Sequence, residues 1–156
     1  MTLSLAVAGC GTVNIGQLDK SIRTEVSSVS VMETGGRAGQ LYSRALRQTL
    51  YRYGQSIPAY RLTSTISVSS SSTLSVRGVS STFKKMTMVA SFKLKKHGGG
   101  DVLLQDTVTT DATLGTVSSL FGQDQSELHA RDRMARLIAQ RVAQRIQLYF
   151  LEHADN

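Results

Sequence analysis

Apolar and polar residues alternate most regularly between Lys85 and Thr110. Met86, Met88, Ala90, Phe92 and Leu94 fall on one side of the pattern, and Thr87, Val89, Ser91, Lys93 and Lys95 on the other. Successive side chains of a strand point to opposite faces, so this is a half-buried strand. "KHGGGD" then turns the chain and "VLLQDTVTT" returns it, which predicts a hairpin. A second alternating run, "AYRLTSTISV", follows Pro58. It sets Tyr60, Leu62, Ile66 and Val68 against Arg61, Thr63, Thr65 and Ser67. A third, "VSSVSVM" from Val26 to Met32, is closed by the turn signal "ETGGR".

Two segments change period. From Gln40 to Tyr53, the residues Tyr42, Leu46, Leu50 and Tyr53 recur at helical spacing, and Gly54 follows as a helix-terminating glycine. Near the end, Ala135, Ile138, Val142, Ile146 and Tyr149 form an apolar stripe flanked by Arg131, Arg133, Arg136, Arg141 and Arg145. Asp124 with Glu127 three residues on resembles a capping box at the start of that helix. "SSSSTLSVRGVSS" is low in complexity and reads as a loop or loose extension, and "ATLGTVSSLFGQ" has no clear period. The order strand, helix, strand, strand, strand, helix predicts an α+β fold. We expect a mainly antiparallel four-stranded sheet with two helices packed on one face.

The length of 156 residues suits one domain, and no apolar run reaches the ~18–20 residues that a bilayer-spanning helix needs. A net charge of +7 points to a polyanionic partner such as nucleic acid, an acidic membrane surface or a phosphorylated glycolipid, or simply to solubility. Tryptophan is absent and aromatics are 6%, which leaves little material for stacking on single-stranded nucleic acid.

The only cysteine stands in "LSLAVAGCG". An apolar stretch followed by Val7-Ala8-Gly9-Cys10 matches the lipobox cut by the bacterial lipoprotein signal peptidase, after which the thiol carries diacylglycerol. A lone cysteine also has no disulfide partner. We therefore expect a signal-peptide remnant over residues 1–9, a lipid anchor at Cys10, a tether over 10–21 and a single domain over 22–156.

Motifs that suggest catalysis lack their context. "HGGG", His97 to Gly100, forms an oxyanion hole in some lipases, but the chain has no G-x-S-x-G nucleophile elbow, and the string suits a hairpin turn. Ser126, His129 and Asp132 are spaced to share a helical face, without a glycine-rich elbow nearby to supply oxyanion donors. His97, His129 and His153 have no metal-ligand spacing, and no P-loop occurs. The expectation is a non-enzyme without metal or cofactor.

Four segments in this order resemble the LptE family of lipopolysaccharide-assembly lipoproteins of the Gram-negative outer membrane. They are "AGCG", "GQLYSRALRQTLYRYG", "AYRLTSTISV", and the long pair "TFKKMTMVASFKLKKHGGGDVLLQDTV" leading into "SSLFGQDQSELHARDRMARLIAQRVAQRIQLYF". The resemblance implies a protein anchored on the periplasmic side of the outer membrane that plugs and helps assemble the LptD β-barrel and contacts lipopolysaccharide. It implies a basic ligand contact before the third strand, where this chain has Lys84 and Lys85; from the sequence we add Arg77, in the preceding loop, as a third contact. A second basic contact before the last helix has no counterpart, because Thr113 to Gln125 contains neither Lys nor Arg. Lys84 and Lys85 read equally well as strand-edge charges that discourage edge-to-edge pairing. Two other functions stay open: a periplasmic lipoprotein that activates an enzyme or serves an ABC-type lipid transporter, and, less favoured, a nucleic-acid-binding domain.

Overall fold

A computed structural model describes residues 15–73, 83–115 and 119–154. Along the chain run α1 (Ile15–Ser27), β1 (Val29–Val31), α2 (Gly36–Leu50), β2 (Tyr60–Thr73), β3 (Phe83–Lys96), β4 (Val102–Gly115) and α3 (Leu120–Glu152). The strands form one sheet in the order β1-β2-β3-β4.

The hairpin is present as its alternation requires. Phe83 pairs with Gly115 and Lys95 with Val102, with one register shift at Leu94/Lys95. Gly98, Gly99 and Gly100 take φ angles of 92°, 107° and 120°, a region that side chains other than glycine's disfavour. "HGGG" is therefore a turn.

The expected sheet needs two corrections. It is mixed, because β1 runs parallel to β2, with Val29 opposite Tyr60 and Val31 opposite Leu62. The reason is topological: α2 lies between these two strands and carries the chain back to the end where β1 began. There are also three helices. Residues from Ile15 onward, expected to be tether up to position 21, belong to α1, which continues through Val26 and Ser27 and shortens the first strand to three residues.

α2 and α3 cover one face of the sheet, and α1 packs on α3. At ~3.3 Å per residue a 14-residue strand spans about 46 Å, and at 1.5 Å per residue the 33-residue α3 spans about 50 Å, so the last helix runs the length of the sheet. From the sheet, Leu62, Met86, Met88, Phe92 and Leu94 are buried against Tyr42 and Leu46 of α2 and Met134, Ile138, Val142 and Ile146 of α3. Ala135, Ala139 and Ala143, four apart and wholly buried, keep the α3 backbone close to its neighbours. Tyr42 is buried with its hydroxyl 2.9 Å from Ser64 Oγ, and desolvation pushes its pKa to about 12.

Both sheet edges are bonded by side chains from α2, its C-cap Tyr51 and α3. Tyr51 Oη donates to Val29 O at 2.8 Å and accepts from Val31 N at 3.3 Å, and Arg47 donates to Val31 O at 3.0 Å. On the other edge Arg141 donates to Thr109 O at 2.6 Å. Such contacts satisfy backbone groups that would otherwise template strand pairing. Gly39 of α2 is held to glycine by a close approach, since a Cβ there would lie 2.7 Å from Thr34 O. The cap of α3 is Ser119, whose side chain accepts from Gly122 N at 3.4 Å, so the helix starts before the Asp124–Glu127 pair.

Candidate functional site

Strand β3 positions the residues of interest, and its period of two decides what each can reach. Even-numbered residues from Lys84 to Leu94 face the helices and odd-numbered ones from Lys85 to Lys95 face away. Lys84 and Lys85 therefore point to opposite sides of the sheet. Lys84 Nζ donates to Glu127 Oε1 of α3 at 2.6 Å, and the two side chains are 28% and 13% exposed. Gln123 Nε2 donates to the same oxygen at 3.1 Å, and Arg131 lies 3.5 Å from the other. The hydrogen bond from Lys84, then that from Gln123, hold the Glu127 carboxyl below the usual glutamate range.

Lys85 lies on the open face, 3.2 Å from Asp111 of β4. Thr87 Oγ1 also donates to Asp111 at 2.6 Å, and these two hydrogen bonds, Thr87's the stronger, lower the aspartate's pKa. The lysines do not form one contact surface, and only Lys85 is half exposed. Nor are they edge charges, because β3 is flanked by β2 and β4. Arg77 and Cys10 lie outside the described residues.

The open face of the sheet is built mainly from small alcohols. Thr65, Ser67, Ser91, Thr107 and Thr109 are all exposed there, and Ser91 and Thr107 hydroxyls lie 3.1 Å apart across the strands. Near the hairpin end this face turns basic, with Arg61 directly opposite Lys95, and Lys93 two residues along β3. The sequence carried the signal for this cluster in its alternation, but the hairpin register was needed to bring β2 and β3 side by side.

Asp132 of the spaced Ser126–His129–Asp132 set turns to Arg37, 3.6 Å away, and His129 is exposed. A cleft of about 960 Å³ runs between the helices, with Ile22, Leu50, Leu148 and Leu151 along it and Arg52 and Arg136 at its rim. Among the described residues, no Asp, Glu or His lines it. Among the described residues no helix is long and apolar enough to cross a membrane.

Comparison with known proteins agrees with this architecture. A putative lipoprotein from Caulobacter crescentus superimposes with a TM-score of 0.67 at 16% identity, covering 85% of this chain and 97% of that one. A rare lipoprotein B from Shewanella oneidensis gives 0.61 at 13% identity over 81% and 98% of the two chains. A minor lipoprotein from Acinetobacter baumannii gives 0.60 at 13% identity over 78% and 92%. At these identities the likeness is one of fold. No curated protein sequence matches. The model of the LptE family, described as lipopolysaccharide-assembly, matches residues 24–146. That span takes in every strand and most of α3, and on it the chain belongs to the LptE family.

Proposed function

We propose that this protein is an outer-membrane lipoprotein, anchored through Cys10 on the periplasmic side, that sits inside the LptD β-barrel as a plug, helps it assemble and contacts lipopolysaccharide in transit. The observation that carries the plug reading is the open face of the sheet. The lumen of a membrane barrel is polar, and a body seated in it must be polar on the surface it presents. A sheet face of serines and threonines, about 46 Å long and uncovered by any described element, meets that condition. The reading is non-enzymatic, with no cofactor.

For glycolipid contact we assign Lys85 and Arg77 rather than Lys84. A lysine ammonium suits a phosphate as a compact charge, and Lys85 can exchange its exposed aspartate for one. Lys84 is already engaged by Glu127.

Affinity purification of the tagged protein from outer membranes tests the plug. Stoichiometric recovery of one large β-barrel protein is expected, resistant to high salt. Recovery of an inner-membrane transporter or a soluble enzyme instead would favour the auxiliary or activator role.

A further inference from the structure

We propose that the hairpin end of the sheet, where Arg61 and Lys95 stand opposite one another with Lys93 beside them, docks on an anionic phospholipid bilayer. Like charges directly opposite across two strands destabilise a sheet. Here they meet at the register pair Arg61–Lys95, and Thr63–Lys93 is the next pair on the same face. Among the described residues, no carboxylate lies within ion-pair distance of Arg61, Lys93 or Lys95. By contrast, Lys84 and Lys85 at the other end of β3 each have one. An arrangement that costs stability in the free protein is relieved when a negatively charged surface covers it.

The position of α1 favours a membrane as that surface. Ser21, Ile22 and Glu25 share a cleft with Lys96, Tyr149 and His153, so α1 lies across the hairpin end of the sheet. Exposed Lys20 and Lys96 add positive charge there; among the described residues, Glu25, Asp101 and Glu152 are the acids of this end. With an extended reach of at most about 3.6 Å per residue, an anchor at Cys10 holds the start of α1 within about 20 Å of the bilayer. The anchor supports this placement, but the charge pattern stands without it and without the barrel. Each basic residue near an anionic surface strengthens partitioning about fivefold. The docking would set which end of the domain faces the leaflet.

The test uses the full chain carrying Cys10→Ser, so that no acyl group contributes. Its sedimentation is measured with vesicles of phosphatidylcholine alone and with phosphatidylglycerol added, at low and high salt. Binding to the anionic vesicles only, reversed by salt, is expected. The triple change Arg61→Gln, Lys93→Gln and Lys95→Gln should weaken it by about a hundredfold. That variant should melt no lower than its parent, since it removes a repulsion. A control of equal charge, Arg37→Gln, Arg44→Gln and Arg133→Gln on the helix layer, should stay within about threefold of the parent. Absence of binding to anionic vesicles, equal binding to neutral ones, or an equal loss in the control would each overturn the proposal.

Discussion

Ile138→Asp should abolish the cooperative unfolding transition of this protein. Ile138 is wholly buried at the middle of α3, in the stripe that also buries Ala135, Val142 and Ile146. An aspartate there gives up about 1.5–3 kcal/mol of apolar burial. It also strands a carboxylate, at an effective cost of several kcal/mol even after relaxation, or forces it to take up a proton. Together these approach the whole stability of an ordinary domain, about 5–15 kcal/mol. Ile138→Val, which removes one methylene, should cost only about 1 kcal/mol. Urea titrations followed by circular dichroism separate the two. An aspartate variant with the parent's midpoint would mean that α3 does not pack on the sheet through this stripe.

The second large effect is expected at Lys84. Lys84→Glu sets a carboxylate against Glu127, a group only 13% exposed whose hydrogen bond from Lys84 is 2.6 Å long. Breaking a fully buried pair costs ~3–5 kcal/mol, and because solvent reaches Lys84 the loss here should be about 2 kcal/mol. The pair also predicts a pH dependence. The folded pKa of Glu127 lies below its ordinary value of 4.5, so its contribution is fully present above that value. It is lost as pH falls through the lowered pKa. Lys84→Met should therefore flatten the decline of stability below pH 4.5. Lys85→Met should leave the unfolding midpoint unchanged, because its partnership with Asp111 is open to water on both sides. If the two methionine variants respond alike, the assignment of the lysines to opposite faces is wrong.

What the sequence made legible was whatever a single period could carry. The β3–β4 hairpin and the buried stripe of α3 follow from spacings of two and of three to four, each sustained over many residues. α1 was missed although Ile15, Leu18, Ile22 and Val26 follow one another at three, four and four, a helical pattern that a lipobox a few residues upstream made easy to read as tether. The parallel pairing of β1 was implicit in a helix standing between two neighbouring strands, but periodicity has no term for direction. Ser69 to Thr73 continue β2 because β3 pairs with them, not because five alcohols favour a strand. The site was the least legible part. Two adjacent lysines looked like one basic contact, yet the pleat separates them, and the partner that engages Lys84 lies 43 residues away on another element.

If the alcohol face of the sheet lies against the wall of a barrel, in-cell photo-crosslinking from that face captures the barrel. A photoreactive residue is placed singly at Thr65, Ser91 or Thr107, all exposed on that face. Each position should capture the same large outer-membrane β-barrel protein, in native membranes and without added ligand. Positions that capture only water, or a partner outside the outer membrane, would contradict it.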